Sequence, residues 1–206
     1  MNRNTKIKMN NERESEAEAP PCGCSIGDLS KTNDPHANLP KGKQTILGLY
    51  MTAKEAYAKW QAAPDKVKII DVRTPEEYLF VGSPDMAWRI PVAVQSYEWD
   101  AEKQQFPMKP LPDFAARVSE VAKPNDTLMV MCRSGGRSAI AANMLAKAGF
   151  TNVHNIIDSM EGDGNGNSES EAQGGWKNSG CPWTKKLTPE RMLLPKGNEQ
   201  KQQPGE

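Results

Sequence analysis

The fold is decided by Leu128-Met129-Val130-Met131-Cys132-Arg133-Ser134-Gly135-Gly136-Arg137-Ser138, which continues as Ala139-Ile140-Ala141-Ala142-Asn143-Met144-Leu145-Ala146-Lys147-Ala148-Gly149. Leu128 to Met131 is an apolar run of strand length, bounded by Asp126-Thr127 and by a Gly-rich loop. From Ser138 onward the residues favour helix. Ser138 suits the N-cap, and Gly149 suits the position just past the end. Strand, loop and helix therefore follow one another, and Cys132 stands at the strand end, the rim where open α/β sheets place their ligands. Gly135 and Gly136 let the loop N–H groups curl into an anion cradle. The helix adds the positive end of its dipole, and Arg133 and Arg137 add charge. All of these favour a nucleophilic thiolate at Cys132. A lone Cys after an apolar strand is ordinarily a small buried hydrophobe, but Arg133, Gly135, Gly136 and Arg137 are poor material for a core.

The loop from Cys132 to Arg137 resembles the active-site loop of the rhodanese family, sulfurtransferases with an alternating α/β fold. Related cell-cycle phosphatases on the same fold have a longer loop. A tight ring of N–H groups suits a single sulfane sulfur and a wider ring suits a phosphate, so the spacing favours sulfur transfer. Two further stretches support the resemblance: Asp71-Val72-Arg73-Thr74-Pro75-Glu76-Glu77-Tyr78 and Gly175-Trp176-Lys177-Asn178-Ser179-Gly180-Cys181-Pro182. The first implies that Asp71 and Arg73 brace the strand end beside the loop, with Arg73 paired to an acid such as Glu77. The second is similar to the end of a rhodanese domain, where a Gly pair precedes a helix carrying Trp and then a turn. The chain departs from the family at Gly82-Ser83, where many members have Gly-His.

The resemblance implies an α/β fold of three layers, α/β/α, with a central five-stranded parallel sheet. The alternation of strand and helix signals along the chain agrees with it. The implied activity moves a sulfane sulfur from thiosulfate or another persulfide donor to cyanide or a thiol through a Cys132 persulfide. Arg133, Ser134, Gly135, Gly136, Arg137 and Ser138 would bind substrate, and neither metal nor organic cofactor is needed. The implied partners are a small anionic sulfur donor and a thiophilic acceptor, with a protein acceptor as a further option. The alternatives are a persulfide carrier docking on a protein partner, a phosphatase- or arsenate-reductase-like Cys enzyme, and a non-catalytic module. Loop length, and Met131 in place of a His before the Cys, stand against the reductase. The presence of Cys132 stands against the non-catalytic module.

The 206 residues carry 26 Lys+Arg against 26 Asp+Glu. That balance gives no reason to expect nucleic acid or an acidic membrane as partner. The length suits one domain with tails, and no apolar run approaches spanning length. The first residues lack the apolar core of a signal peptide, so a cytoplasmic location is expected, or a periplasmic one if a longer precursor exists. Cys22, Cys24, Cys132 and Cys181 are too few for a disulfide scaffold. Cys22 and Cys24 have only His36 nearby, which leaves a zinc ligand set incomplete.

The expected organisation is a disordered polar tail over 1–43, a rhodanese domain over 45–194 with a flexible insertion over 161–175, and a free tail over 195–206. Strands are predicted over 46–51, 67–72, 88–94 (interrupted by Pro91) and 151–157, besides the one before Cys132. A helix over 53–62 is capped by Thr52 and Glu55, and a second starts at Thr74 with Glu77. A third is capped by Asp113 and runs to Ala122, with Phe114, Val118 and Val121 on one face. Residues 95–112 form an irregular excursion whose Trp99 and Phe106 either wall the site mouth or lid the core.

Overall fold

The computed structural model describes residues 38–164 and 174–195. The expectations for Cys22, Cys24 and most of the N-terminal tail, for 165–173 of the insertion, and for the tail from 196 onward lie outside the described residues.

Five parallel strands form the central sheet: β1 (Tyr50–Met51), β2 (Val67–Asp71), β3 (Trp88–Arg89), β6 (Thr127–Met131) and β7 (Val153–Ile156), in the order β1-β7-β6-β2-β3. The remaining strands, β4 (Ala93–Gln95) and β5 (Met108–Pro110), pair antiparallel as a separate hairpin. The helices are α1 (Ala53–Ala62), α2 (Pro75–Val81), α3 (Phe114–Ser119) and α4 (Gly136–Lys147).

The sheet separates two apolar layers, and the period-2 geometry of a strand shows why. Along β6, Leu128, Val130 and then Cys132 face one layer with Phe114 and Val118 of α3 and Ala141, Ala142 and Leu145 of α4. Met129 and Met131 face the other, with Ala53 and Ala56 of α1 and Trp176. Both faces of β6 are covered, so it reads as a continuous apolar run. Register holds Val67 opposite Thr127 and Asp71 opposite Met131, so β2 and β6 end together at the same rim.

That rim is the topological switch point. From β2 the chain leaves through α2 to β3 on one side. From β6 it leaves through α4 to β7 on the other. The two connections diverge and open a crevice between adjacent strand ends.

Both capping boxes form: Thr52 with Glu55 starts α1 and Thr74 with Glu77 starts α2, with Pro75 at the first helical position. Other expectations shift. Residues 38–43 belong to the fold, since a 3-10 turn at Lys41–Lys43 buries Lys43 against the Ile157 carbonyl (2.8 Å). β1 is shorter than 46–51 because Gly48, at φ +63°, closes a turn onto the Thr45 carbonyl. The 88–94 strand divides at Pro91: Trp88–Arg89 stays in the sheet while Ala93–Gln95 turns away to pair with β5. The 95–112 excursion is therefore largely a hairpin. Trp99 and Phe106 pack edge to face near its tip at 5.1 Å and stay half exposed, outside the core. Asp113 makes no side-chain cap and instead pairs with Arg117 (3.0 Å) one turn on. Trp176 is wholly buried, but on a turn rather than a helix. No helix among the described residues is long and apolar enough to cross a membrane.

Candidate functional site

Cys132 is the first residue after β6 and is 1% exposed, with its thiol at the floor of the rim crevice. The Gly135 N–H lies 3.1 Å from Sγ, the Ser138 hydroxyl 3.4 Å and the Ser159 hydroxyl 3.8 Å. Gly135 is the N-cap of α4 at φ +100°, a conformation that costs a β-carbon dearly. A β-carbon there would also run into the Ile157 carbonyl. Ser138, expected as the cap, is the third helical residue, and its hydroxyl faces two acceptors, Cys132 Sγ and Asn155 Oδ1 (2.7 Å). One hydroxyl proton serves one of them at a time.

Asn155 ties the arrangement together. Its amide donates to the carbonyls of Gly135 (3.1 Å) and Lys43 (3.0 Å), joining β7, the loop and the N-terminal segment. Ser159 sits at φ +48°, an unusual position for a residue with a β-carbon. Its hydroxyl accepts from Cys132 N (3.0 Å) and donates to the Ile156 carbonyl (2.7 Å). The segment behind is stitched on by backbone bonds, Met160 N to Cys132 O and Trp176 N to Ser159 O.

A cleft of about 460 Å³ opens over the thiol. The loop lines it with Cys132, Arg133, Ser134, Gly136 and Arg137, the start of α2 with Thr74, Glu76 and Glu77, and the hairpin with Gln95 and Met108. Of the residues singled out from sequence, Gly135 and Ser138 lie behind the thiol. Asp71 and Arg73 lie beneath the rim and do not reach the cleft. Gln95, Met108, Glu76, Asn155 and Ser159 were not singled out for the site. Only Ser159 carries a mark of its own, its left-handed backbone, and that is invisible without coordinates.

The ion pairs differ from expectation. Arg73 binds Asp71, not Glu77: Nε and Nη2 reach the carboxylate at 2.9 and 2.7 Å with both side chains fully buried. Residues two apart at a strand end share a side, which puts Asp71 nearest. Arg73 Nη2 also donates to Gly82 O and the Tyr78 hydroxyl to the Asp71 backbone carbonyl, while Arg73 Nη1 is buried without a partner among the described residues. Ser83, at the position where the resemblance implies His, donates to Asp71 Oδ2 at 2.9 Å. Burial pulls the Arg73 guanidinium down, but the charge and hydrogen bonds of Asp71 outweigh it and hold Arg73 above its ordinary value.

Glu77 goes instead to Arg137, in two parallel bonds of 2.6 Å each. Burial pushes the Glu77 carboxyl up, and the Arg137 bonds and charge outweigh it, leaving Glu77 below its ordinary value. Arg137 is likewise drawn down by burial and held up by Glu77, with the nearby Cys132 adding to the rise. Arg133 is exposed and lies 3.4 Å from Glu161. Among the described residues no group of three or more His, Cys, Asp or Glu is placed to hold a metal.

The rhodanese-like domain family matches residues 52–163, just over half of the chain. The uncharacterized protein RP600 of Rickettsia prowazekii is 33% identical over 115 residues, covering 56% of this chain and 80% of that protein. "Thiosulfate sulfurtransferase 16, chloroplastic" of Arabidopsis thaliana is 36% identical over 90 residues, covering 44% of this chain and 68% of that protein. The crystal structure of Rv0390 from M. tuberculosis superposes with a TM-score of 0.50 at 25% identity, covering 66% of this chain and 96% of that one.

Proposed function

Because this chain belongs to the rhodanese-like domain family, we propose that it is a sulfurtransferase that carries sulfur as a Cys132 persulfide. The observation that carries this reading is the convergence of the Gly135 N–H and the Ser138 hydroxyl on Cys132 Sγ at the floor of an open cleft. Those donors favour an anionic sulfur, and the N-terminus of α4 adds its partial charge.

In the first half-reaction the Cys132 thiolate attacks the outer sulfur of a donor. With thiosulfate, the S–S bond of the donor breaks and sulfite leaves with its electron pair. With a persulfide, the thiolate of the donor leaves. In the second half, cyanide or a thiolate attacks the outer sulfur of Cys132–S–S⁻ and returns the thiolate. The Gly135 N–H stays aimed at the anionic sulfur throughout, with no cost of reorganising that donor, and the Ser138 proton is shared between the sulfur and Asn155 Oδ1. Arg137 and Glu77 act as one unit in this reading, a clamp that holds the loop against α2.

Intact mass after incubation with thiosulfate or a trisulfide-derived persulfide tests the proposal. One added sulfur on the wild type and none on Cys132→Ser is the expected result. No added sulfur from any donor, or sulfur retained by the Ser variant, overturns it.

A further inference from the structure

The cleft over Cys132 is not a field of free positive charge. Arg137 gives two guanidinium nitrogens to Glu77, and Arg133 lies against Glu161. Each guanidinium on the lining thus has its own carboxylate. Glu76 is left over: it lines the same cleft, and its Oε2 is buried with no hydrogen-bond partner among the described residues. A buried carboxylate oxygen without a donor is costly, and a ligand N–H placed there relieves the cost. From the hairpin, Gln95 also lines the cleft and commits its Nε2 to the Phe106 carbonyl (2.6 Å). Its carbonyl oxygen and a second N–H are left to a ligand, and the oxygen can accept from a cation. Met108, next on the lining, supplies an apolar wall.

Resting on the sulfurtransferase reading above, we propose that the cleft selects a thiol or its persulfide whose carbon chain carries an ammonium group, with Glu76 as the specificity-determining residue. The sulfur sits at Cys132, the carbon chain lies along Met108, and the ammonium meets Glu76 Oε2 and the Gln95 carbonyl. The same balance works against a compact dianion, which would enter beside Glu76 and Glu77 and find the Arg137 fork already occupied. In the acceptor step, the thiolate R–S⁻ attacks the outer sulfur of Cys132–S–S⁻. The bond to Cys132 Sγ breaks and its electron pair returns to Sγ. The transferred sulfur keeps its negative charge, so R–S–S⁻ and Cys132–S⁻ result with no oxidant or reductant required.

The test loads the full-length protein with sodium tetrasulfide, verifies one added sulfur by intact mass, and follows discharge by four thiols. These are cysteamine, its one-carbon-longer homologue 3-aminopropanethiol, neutral 2-mercaptoethanol and anionic 3-mercaptopropionate. The readout is the ratio of kcat/KM for each amine to that for 2-mercaptoethanol, compared between wild type and Glu76→Gln, so that intrinsic thiol reactivity cancels. We expect the ratio for at least one amine to fall about tenfold in Glu76→Gln, the size of one partly desolvated charge-assisted hydrogen bond. The 3-mercaptopropionate ratio should rise. Ratios that do not change for either amine, on a protein that does load sulfur, overturn the ammonium assignment and leave the sulfurtransferase reading standing. Failure of Cys132 to load sulfur from any donor overturns both.

Discussion

Two neighbouring strands end at the same rim and are finished in opposite ways. At the end of β2, Asp71 and Arg73 form a fully buried ion pair, with the Ser83 hydroxyl donating to Asp71 and Arg73 donating to Gly82 O. At the end of β6, among the described residues, Cys132 has one N–H and two hydroxyls near its sulfur, and a cleft above it. Both are polar devices in an apolar setting. The first holds a charge pair with neither side chain exposed. The second leaves one reactive atom under-satisfied and approachable. Glu77 links them, since it starts the helix after β2 and clamps the loop after β6.

The comparison breaks most completely at Cys132. Cys132→Ser should abolish persulfide formation and thiocyanate production while shifting the melting temperature little, because the hydroxyl is a smaller near-isostere at the same donors. Cys181→Ser should retain activity, since burial holds that thiol up and it lies away from the cleft. Thiosulfate:cyanide turnover and thermal melts of the two variants decide this. A Cys132→Ser protein that still makes thiocyanate would remove Cys132 from the chemistry.

Next in size is Asp71→Ala, which strands Arg73 in the core without its counter-charge. Breaking a buried pair by removing one partner costs about 3–5 kcal/mol. Denaturant unfolding should report that loss, and persulfide loading of whatever folds should survive. A loss below about 1 kcal/mol would mean that water reaches the site and that the contrast between the two strand ends is overstated.

Glu77→Gln sharpens the link between them. Losing a half-buried, charge-assisted pair should cost about 1–3 kcal/mol. It should also raise turnover with thiosulfate relative to a neutral persulfide donor, because the Arg137 fork is released. The pH dependence has a definite sign. The folded Glu77 carboxyl lies below its unfolded value, so its contribution is fully present above about pH 4.3 and is lost as pH falls through the folded value. The stability gap between wild type and Glu77→Gln should be constant near neutrality and narrow in that acid window. A gap that widens on acidification would reverse the assignment.

The smallest effect belongs to Asp163→Asn. Asp163 pairs with the buried Lys43 at 2.6 Å but is 69% exposed itself. The loss should be about 0–1 kcal/mol, read as a small shift in denaturant midpoint. A larger one would make the Lys43 contact part of what holds the loop before α4.

Much of this was legible in the chain. The two capping boxes, the apolar alternation of β6 and the Gly149 stop (φ +95°) each depend on residues within a few positions of one another. The order of strands and helices likewise announced a parallel sheet. The failures share a cause. Local spacing points Glu77 to Arg73, four residues away, yet it pairs with Arg137, 60 residues away. Ser138 looks like a cap because it precedes a helix-forming run, but Gly135 takes that place, since only its conformation lets the loop turn beneath Ile157. The excursion over 95–112 hid a hairpin, because Met108–Pro110 carries no strand pattern apart from its pairing with Ala93–Gln95.

By itself, the sequence determined which atoms can react and roughly where they stand: a cysteine after an apolar strand, a glycine-bearing loop and a helix behind it. These are local properties, written in φ/ψ tolerance, helix propensity and side-chain alternation. Only the tertiary structure decided which charges are free. Arg137, Arg133, Glu76 and Glu77 all lie at the crevice, and nothing in their spacing says that both guanidiniums are paired while Glu76 keeps a buried oxygen unpartnered. Partner choice depends on which side chains the converging strand ends bring within hydrogen-bond reach and shield from water. That is a property of the packed rim and not of any one segment.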